Sequence, residues 1–293
     1  ITVGEMSSTS LDNCIRYSNP EEKELSMCFN FHHLKVDYKN GNKWELMDTN
    51  RKELKRLFEE WQIGMQEHNG WNSLFWCNHD QPRIVSRMGN EGTYWKQSAK
   101  MLAAAVHLMR GTPYIYQGEE IGMPNAHFKD INDYRDVESL NYYEILLKEG
   151  KTKEEAIKTL QERSRDNSRT PMQWSDEKNG GFTDGTPWLA MNPNYMEINV
   201  AAQEHKADSV LAYYRKLIAL RKAKEFKDTF TYGIFKPKYE NEDDIFAFER
   251  VNEESGQKLL ILANFGTESH TIALDQKVAK VLLTNEGRQE AIN

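Results

Sequence analysis

Three cysteines in 293 residues, Cys14, Cys28 and Cys77, are too few and too widely spaced for a disulfide framework or a zinc-ligand pattern. No apolar run approaches the length of a membrane span, and no signal-peptide pattern is visible. Internal repeats and low-complexity tracts are also missing. So is an excess of basic charge: 38 Lys and Arg face 45 Asp and Glu, for a net charge of −7 and a pI near 5.7. That balance speaks against nucleic acid or an anionic membrane as the main partner. What remains is a chain with 39% hydrophobic and 11% aromatic residues, ample for a globular core. Seven Trp and thirteen Tyr stand out, because sugar rings stack on aromatic faces, although a large core accounts for most of them. The expected setting is a soluble protein in a reducing compartment, the cytoplasm.

Strand-like and helical runs alternate as βα units do. Strands are expected at Ile1–Val3, Leu25–Phe31, Ser73–Cys77 and Thr112–Tyr116, and helices at Arg51–Met65, Lys96–Met109 and Ser209–Lys224. Residues 124–207 are long, polar and irregular, with a broken charged helix near Val137–Arg163, and a barrel loop of that length builds part of an active-site wall. After Lys227 the pattern turns to short alternating runs (Phe230–Phe235, Ile245–Arg250, Lys258–Phe265, Ser269–Leu274), the mark of a small antiparallel sheet.

The densest polar cluster, Asn78-His79-Asp80-Gln81-Pro82-Arg83, follows the apolar run Leu74-Phe75-Trp76. In a (β/α) barrel the C-terminal end of a strand is where chemistry is placed. His79 and Asp80 are adjacent, so both reach one pocket only where the strand ends and the chain turns. Glu5 follows Gly4 at the end of the first strand, where partial burial would raise its pKa and suit it to general-acid work. Two carboxylates on strand ends are the minimum apparatus for cleaving a glycoside.

Thr2-Val3-Gly4-Glu5-Met6, the Asn78–Arg83 cluster and Gly111-Thr112-Pro113-Tyr114-Ile115-Tyr116-Gln117-Gly118-Glu119-Glu120-Ile121-Gly122-Met123 occur in that order. Tyr134-Arg135-Asp136, Ser164–Trp174 and Gly185-Thr186-Pro187-Trp188 follow. The series resembles the α-amylase superfamily, in its α-glucosidase branch. The resemblance implies Glu5 as acid/base and Asp80 as the carboxylate that binds sugar hydroxyls and favours an oxocarbenium-like transition state. It implies His79 as a donor to the same sugar, and Arg165, or else Arg169, as the arginine fixing the terminal glucose. It also implies an α/β fold: the C-terminal half of a (β/α)8 TIM barrel (1–226) followed by a small, incomplete antiparallel β domain (227–293). With Ile at position 1, a fragment lacking its N-terminal half is expected, its nucleophilic aspartate and the usual calcium loop upstream and its activity absent. Such a half-barrel, with two open sheet edges, is expected not to fold as a soluble monomer.

The segment Phe29-Asn30-Phe31-His32-His33-Leu34-Lys35-Val36-Asp37-Tyr38 discriminates within the branch. It is most similar to members that hydrolyse a phosphorylated α-(1,1)-linked diglucoside. Lys35 and Lys43, then His32, are the expected phosphate contacts, as charge-assisted donors to an ester carrying nearly two negative charges. An oligo-1,6-glucosidase acting on isomaltose-type ends is the alternative, and a non-catalytic amylase-like domain the alternative from another class. The expected partner is thus a small disaccharide or its phosphate, with no cofactor, and no metal ligand assigned within the chain.

Overall fold

A computed structural model describes residues 1–286. The chain begins with β1 (Val3–Met6), α1 (Leu11–Ser18) and β2 (Met27–Asn30). The long helix α2 (Arg51–Glu67) leads to β3 (Ser73–Leu74), α3 (Ile84–Met88), α4 (Trp95–His107) and β4 (Thr112–Pro113). The irregular stretch then holds α5 (Val137–Lys148), α6 (Lys153–Arg163), the single turn α7 (Asp166–Arg169) and α8 (Val200–Glu204). Helices α9 (Val210–Lys222) and α10 (Lys227–Tyr232) precede a meander of β5 (Ile234–Lys238), β6 (Ile245–Val251) and β7 (Lys258–Asn264).

The helices start where short polar side chains can satisfy free backbone N–H groups. Ser10 caps α1, Asn50 caps α2, Asp136 caps α5 and Ser209 caps α9. Thr152 and Glu155 form a reciprocal capping box on α6. Gly150, at φ +89°, sits in the turn separating α5 from α6, so the expected broken helix is two helices.

Pairing of the four parallel strands is short. β1 pairs with β2 and β3 with β4, and a single bridge between Cys28 and Asn72 links the two pairs. Ser73–Cys77 was expected as one strand, yet only Ser73–Leu74 is laddered. Beyond it a side chain replaces the partner strand: buried His33 donates Nε2–H to the Phe75 carbonyl at 3.0 Å. Burial pushes the His33 imidazole down to about 3, so the ring is neutral. The strands lie in a continuous core with α2, α4 and α9 around them.

The C-terminal sheet shares that core. Phe58 of α2 packs edge-on against Trp76 at 5.4 Å and against Phe246 of β6 at 5.3 Å. Fully burying one such ring is worth roughly 1.5–3 kcal/mol. Arg250 of β6 is buried and donates to the carbonyls of Leu108 and Gly233. Two strand expectations fail here. Phe230–Tyr232 belongs to α10 rather than to a strand, because the Phe226 and Thr229 carbonyls accept helix-type bonds from Phe230 and Gly233. Ser269–Leu274 and Lys280–Leu283 run without ladder pairing, although Leu282 and Leu283 pack on the core. The span expected for the C-terminal β domain extends into residues 287–293, which lie outside the described residues.

Candidate active site

Glu5 lies within β1, not after it, in register with Phe29 of β2. Its side chain is exposed and has no ion-pair partner among the described residues. The strand can pass this close to its neighbours because Gly4 lacks a side chain: a Cβ there would stand 2.5 Å from Leu25 and 2.7 Å from Met6.

Asp80 sits in a turn held from inside, its N–H bonded to Asn78 Oδ1 at 2.8 Å. Arg169 clamps this turn twice, donating Nε–H to the His79 carbonyl at 2.8 Å and Nη2–H to Asp80 Oδ1 at 2.9 Å. Arg165 approaches the same Asp80 oxygen at 3.6 Å, and His79 Nε2 lies 3.5 Å from Asp80 Oδ2. His79, Asp80, Arg165 and Arg169 thus form one group. Both arginines come from the segment around α7, which buried polar residues lock in place. Asn167 donates to the Gln161 carbonyl, and Asp166 accepts from the backbone N–H groups of Arg135 and Asp136.

Lys43 joins this group through a residue the sequence did not point to. Glu138 Oε2 lies 2.9 Å from Lys43 Nζ and 2.8 Å from Arg165 Nε. A chain of alternating charge therefore runs Lys43–Glu138–Arg165–Asp80–Arg169, with Asp136 at 3.6 Å from Arg169 Nη1 closing its far end. Burial is the main influence on Lys43 and lowers its pKa, while Glu138 pulls the other way. The signal for Asp136 was present in the triplet Tyr134-Arg135-Asp136; Glu138, two residues further, carried none.

The other two expected phosphate contacts lie elsewhere. Lys35 is exposed and donates Nζ–H to the Ser7 carbonyl at 2.8 Å, in the turn that leaves the Glu5 strand. His32 turns away from the group, its ring 4.9 Å from that of Trp61 on α2. Burial first, and then Lys35, lower its pKa and favour the neutral ring.

The loop bearing these residues is pinned at its middle. Asp37 is buried and takes a fork from Arg87, with Nη2 at 2.6 Å from Oδ1 and Nε at 2.7 Å from Oδ2. Arg163 binds its other face and also donates Nη2–H to the Asp37 carbonyl at 2.8 Å. Burial alone would raise the Asp37 carboxyl, but Arg87 and Arg163 outweigh it and hold it below its ordinary value. Sequence reading passed over this triad because its members lie far apart in the chain. Among the described residues no group of three His, Cys, Asp or Glu side chains is placed to hold a metal, and no helix is long and apolar enough to cross a membrane.

Comparison with known proteins fits this geometry. The α-amylase catalytic-domain family matches residues 1–233. A trehalose-6-phosphate hydrolase of Bacillus subtilis is 51% identical over 100% of this chain and 52% of its own length. An oligo-1,6-glucosidase of Bacillus cereus is 46% identical over 95% of this chain and 49% of its own. The crystal structure of Bacillus licheniformis trehalose-6-phosphate hydrolase superposes with a TM-score of 0.91 at 52% identity, covering 98% of this chain and 52% of that one. The chain spans about half the length of the curated relatives it matches. These matches, running along nearly all of the present chain, replace the expectation of a truncated barrel fragment that is inactive for want of an upstream nucleophile.

Proposed function

Because the chain belongs to the α-amylase family, whose catalytic-domain description matches residues 1–233, we propose that it serves a retaining α-glucosidase that splits trehalose 6-phosphate into glucose and glucose 6-phosphate. The observation that carries this reading is the charge chain from Lys43 through Glu138 and Arg165 to Asp80. It joins a cation on the discriminating loop to the carboxylate at the strand end, so that one disaccharide can meet both. The names of the relatives support it, with trehalose-6-phosphate hydrolases at 51% identity and an oligo-1,6-glucosidase at 46%.

In this reading Glu5 donates a proton to the departing glycosidic oxygen while a carboxylate nucleophile bonds the anomeric carbon, and later takes a proton from the water that displaces that carboxylate. Its exposed position on β1 leaves the carboxyl open to a substrate. Asp80 holds hydroxyls of the reacting sugar and stabilises positive charge that develops on its ring. His79 donates to the same sugar. Arg169 sets the orientation of Asp80, and Arg165 bridges the Asp80 carboxylate and Glu138. Lys35 and Lys43 attract the phosphate, which their flexible ammonium groups can meet as point charges. A phosphorylated sugar does not cross a membrane unaided, which suits a reaction in the cytoplasm.

A second reading has its own observation. Lys43 is already paired with Glu138, and a paired lysine suits the hydroxyls of a neutral sugar, as an oligo-1,6-glucosidase would require. Glucose release by the complete protein from trehalose 6-phosphate, trehalose and isomaltose, measured side by side, separates the two. Strong preference for the phosphorylated disaccharide supports the first reading, and preference for isomaltose supports the second. No turnover of any of the three sinks both.

A further inference from the structure

Three segments carry the residues assigned above: the loop with Lys35 and Lys43, the turn with His79 and Asp80, and the stretch with Arg165 and Arg169. One buried carboxylate is linked to all three, to two of them through arginines. Asp37 belongs to the loop itself. Arg87, which grips it with two nitrogens, also donates Nη1–H to Gln81 Oε1 at 2.8 Å, next to Asp80. Arg163, which grips its other face, is the last residue of α6, two positions before Arg165. Both guanidinium groups also flank the Tyr38 ring, at 5.4 and 5.7 Å, so the loop is clasped by charge and by ring stacking together.

The loop has two further attachments, one near each lysine. Lys35 is bonded to the Ser7 carbonyl at 2.8 Å. At the other end Trp44 stacks on Tyr142 of α5 with ring centres 4.6 Å apart. Between them the backbone changes direction through Asn40 and Gly41, both at positive φ. Turn hydrogen bonds and a bridge between Tyr38 and Leu46 close this part of the loop on itself, and Asp37 ties its start to Arg87 and Arg163.

We propose that Asp37, with Arg87 and Arg163, is a positioning residue for phosphate recognition: it registers the loop that carries Lys35 and Lys43 against the Asp80 turn. The inference rests on the phosphorylated-disaccharide reading. Asp80 itself does not depend on Asp37. Its turn keeps the Asn78 and Arg169 bonds and the hydrogen bond from Ser168 to the Gln81 carbonyl. Loosening the loop therefore harms recognition of the phosphate more than it harms handling of the reacting glucose.

The test is Asp37→Asn in the complete protein, assayed with trehalose 6-phosphate and with the neutral p-nitrophenyl α-glucoside. Losing one of two charge-assisted phosphate contacts is expected to raise the phosphorylated KM about tenfold, with the neutral KM and both kcat values held within about threefold. In a Lys43→Met background the same change should lose most of its effect, since the loop no longer carries the lysine that it holds in register. Simple loss of stability would instead add to the Lys43 effect in full. Should Asp37→Asn not fold, Arg163→Lys decides, because it keeps a cation beside Asp37 but cannot hold both its carboxylate and its carbonyl. Equal KM changes on both substrates, or additive effects in the double variant, overturn the inference while the function stands. A parent protein without preference for the phosphorylated substrate overturns the function, and this inference falls with it.

Discussion

Two ion-pair groups lie side by side behind the mouth of this molecule, and they are built on opposite terms. In the Asp37–Arg87–Arg163 group every side chain is 3–4% exposed, and the carboxylate is met on both oxygens. In the Lys43–Glu138–Arg165–Asp80–Arg169 group the side chains are 16–36% exposed, and the Arg165–Asp80 contact stretches to 3.6 Å. A buried charge with no escape to water must keep its partners. A half-open one can trade a protein partner for a substrate at small expense. The first group is framework, and the second is the part of the framework left free to react.

The largest expected effect tests the framework side. Asp37→Ala leaves two buried guanidinium groups without their counter-ion, and about 3–5 kcal/mol of stability should be lost in a urea titration. Glu138→Ala, from the open group, should lose no more than about 1 kcal/mol. Equal losses would erase the distinction between the groups. Next comes Asp80→Asn, where the charge facing the developing cation is removed while shape is kept. Activity should fall by roughly 100-fold or more on phosphorylated and neutral substrates alike, about 2.7 kcal/mol or more of transition-state stabilisation, with little change in Tm. A drop confined to one substrate would move Asp80 from the reacting sugar to its leaving group.

A smaller effect probes the substrate end of the open group. Lys43→Met should raise KM for trehalose 6-phosphate about tenfold and leave a neutral glucoside within about twofold. Salt should act in the same direction. Raising sodium chloride from 0.05 to 0.5 M shortens the Debye length from about 14 to about 4 Å, so the phosphorylated KM should climb several-fold and the neutral one should not. A neutral KM that rose in step would show that the open group serves both substrates equally.

The distinction between the groups also marks what could be read from the sequence. Asp80, His79, Arg165 and Arg169 belong to local motifs, and their clustering follows from turns and one short helix. Helix α2, with its 3.6-residue apolar period, and the strand β7, with alternating burial, were legible for the same local reason. Asp37, Arg87 and Arg163 were not, because an ion pair between residues 126 positions apart leaves no periodic trace. Glu138 is two positions from a noticed motif, yet its role depends on how α5 faces a loop some 95 residues earlier. The failed strand at Phe230–Phe235 has a different cause. Aromatic and β-branched residues suit a strand, but the helix-type bonds of α10 took Phe230 through Tyr232 before β5 began.

The smallest expected effect comes from a pair between the two extremes in kind. His127 Nε2 lies 2.7 Å from Glu91 Oε1, each side chain being more than one-third exposed. The hydrogen bond to Glu91 raises the His127 pKa above its ordinary 6.5. Burial pushes the Glu91 carboxyl up, but the His127 and Ser86 bonds outweigh it and bring it below its ordinary 4.5. For the raised histidine, the stabilisation is complete below pH 6.5 and fades as pH rises through the folded value. For the lowered carboxylate it is complete above pH 4.5 and fades as pH falls through the folded value. The pair therefore contributes most between about pH 4.5 and 6.5, and exposure limits it to no more than about 1 kcal/mol. Comparing the parent with His127→Gln, the difference in unfolding free energy should be larger at pH 5.5 than at pH 8.5. A difference that stayed constant across that range would show that His127 acts by packing and hydrogen bonding and not by charge.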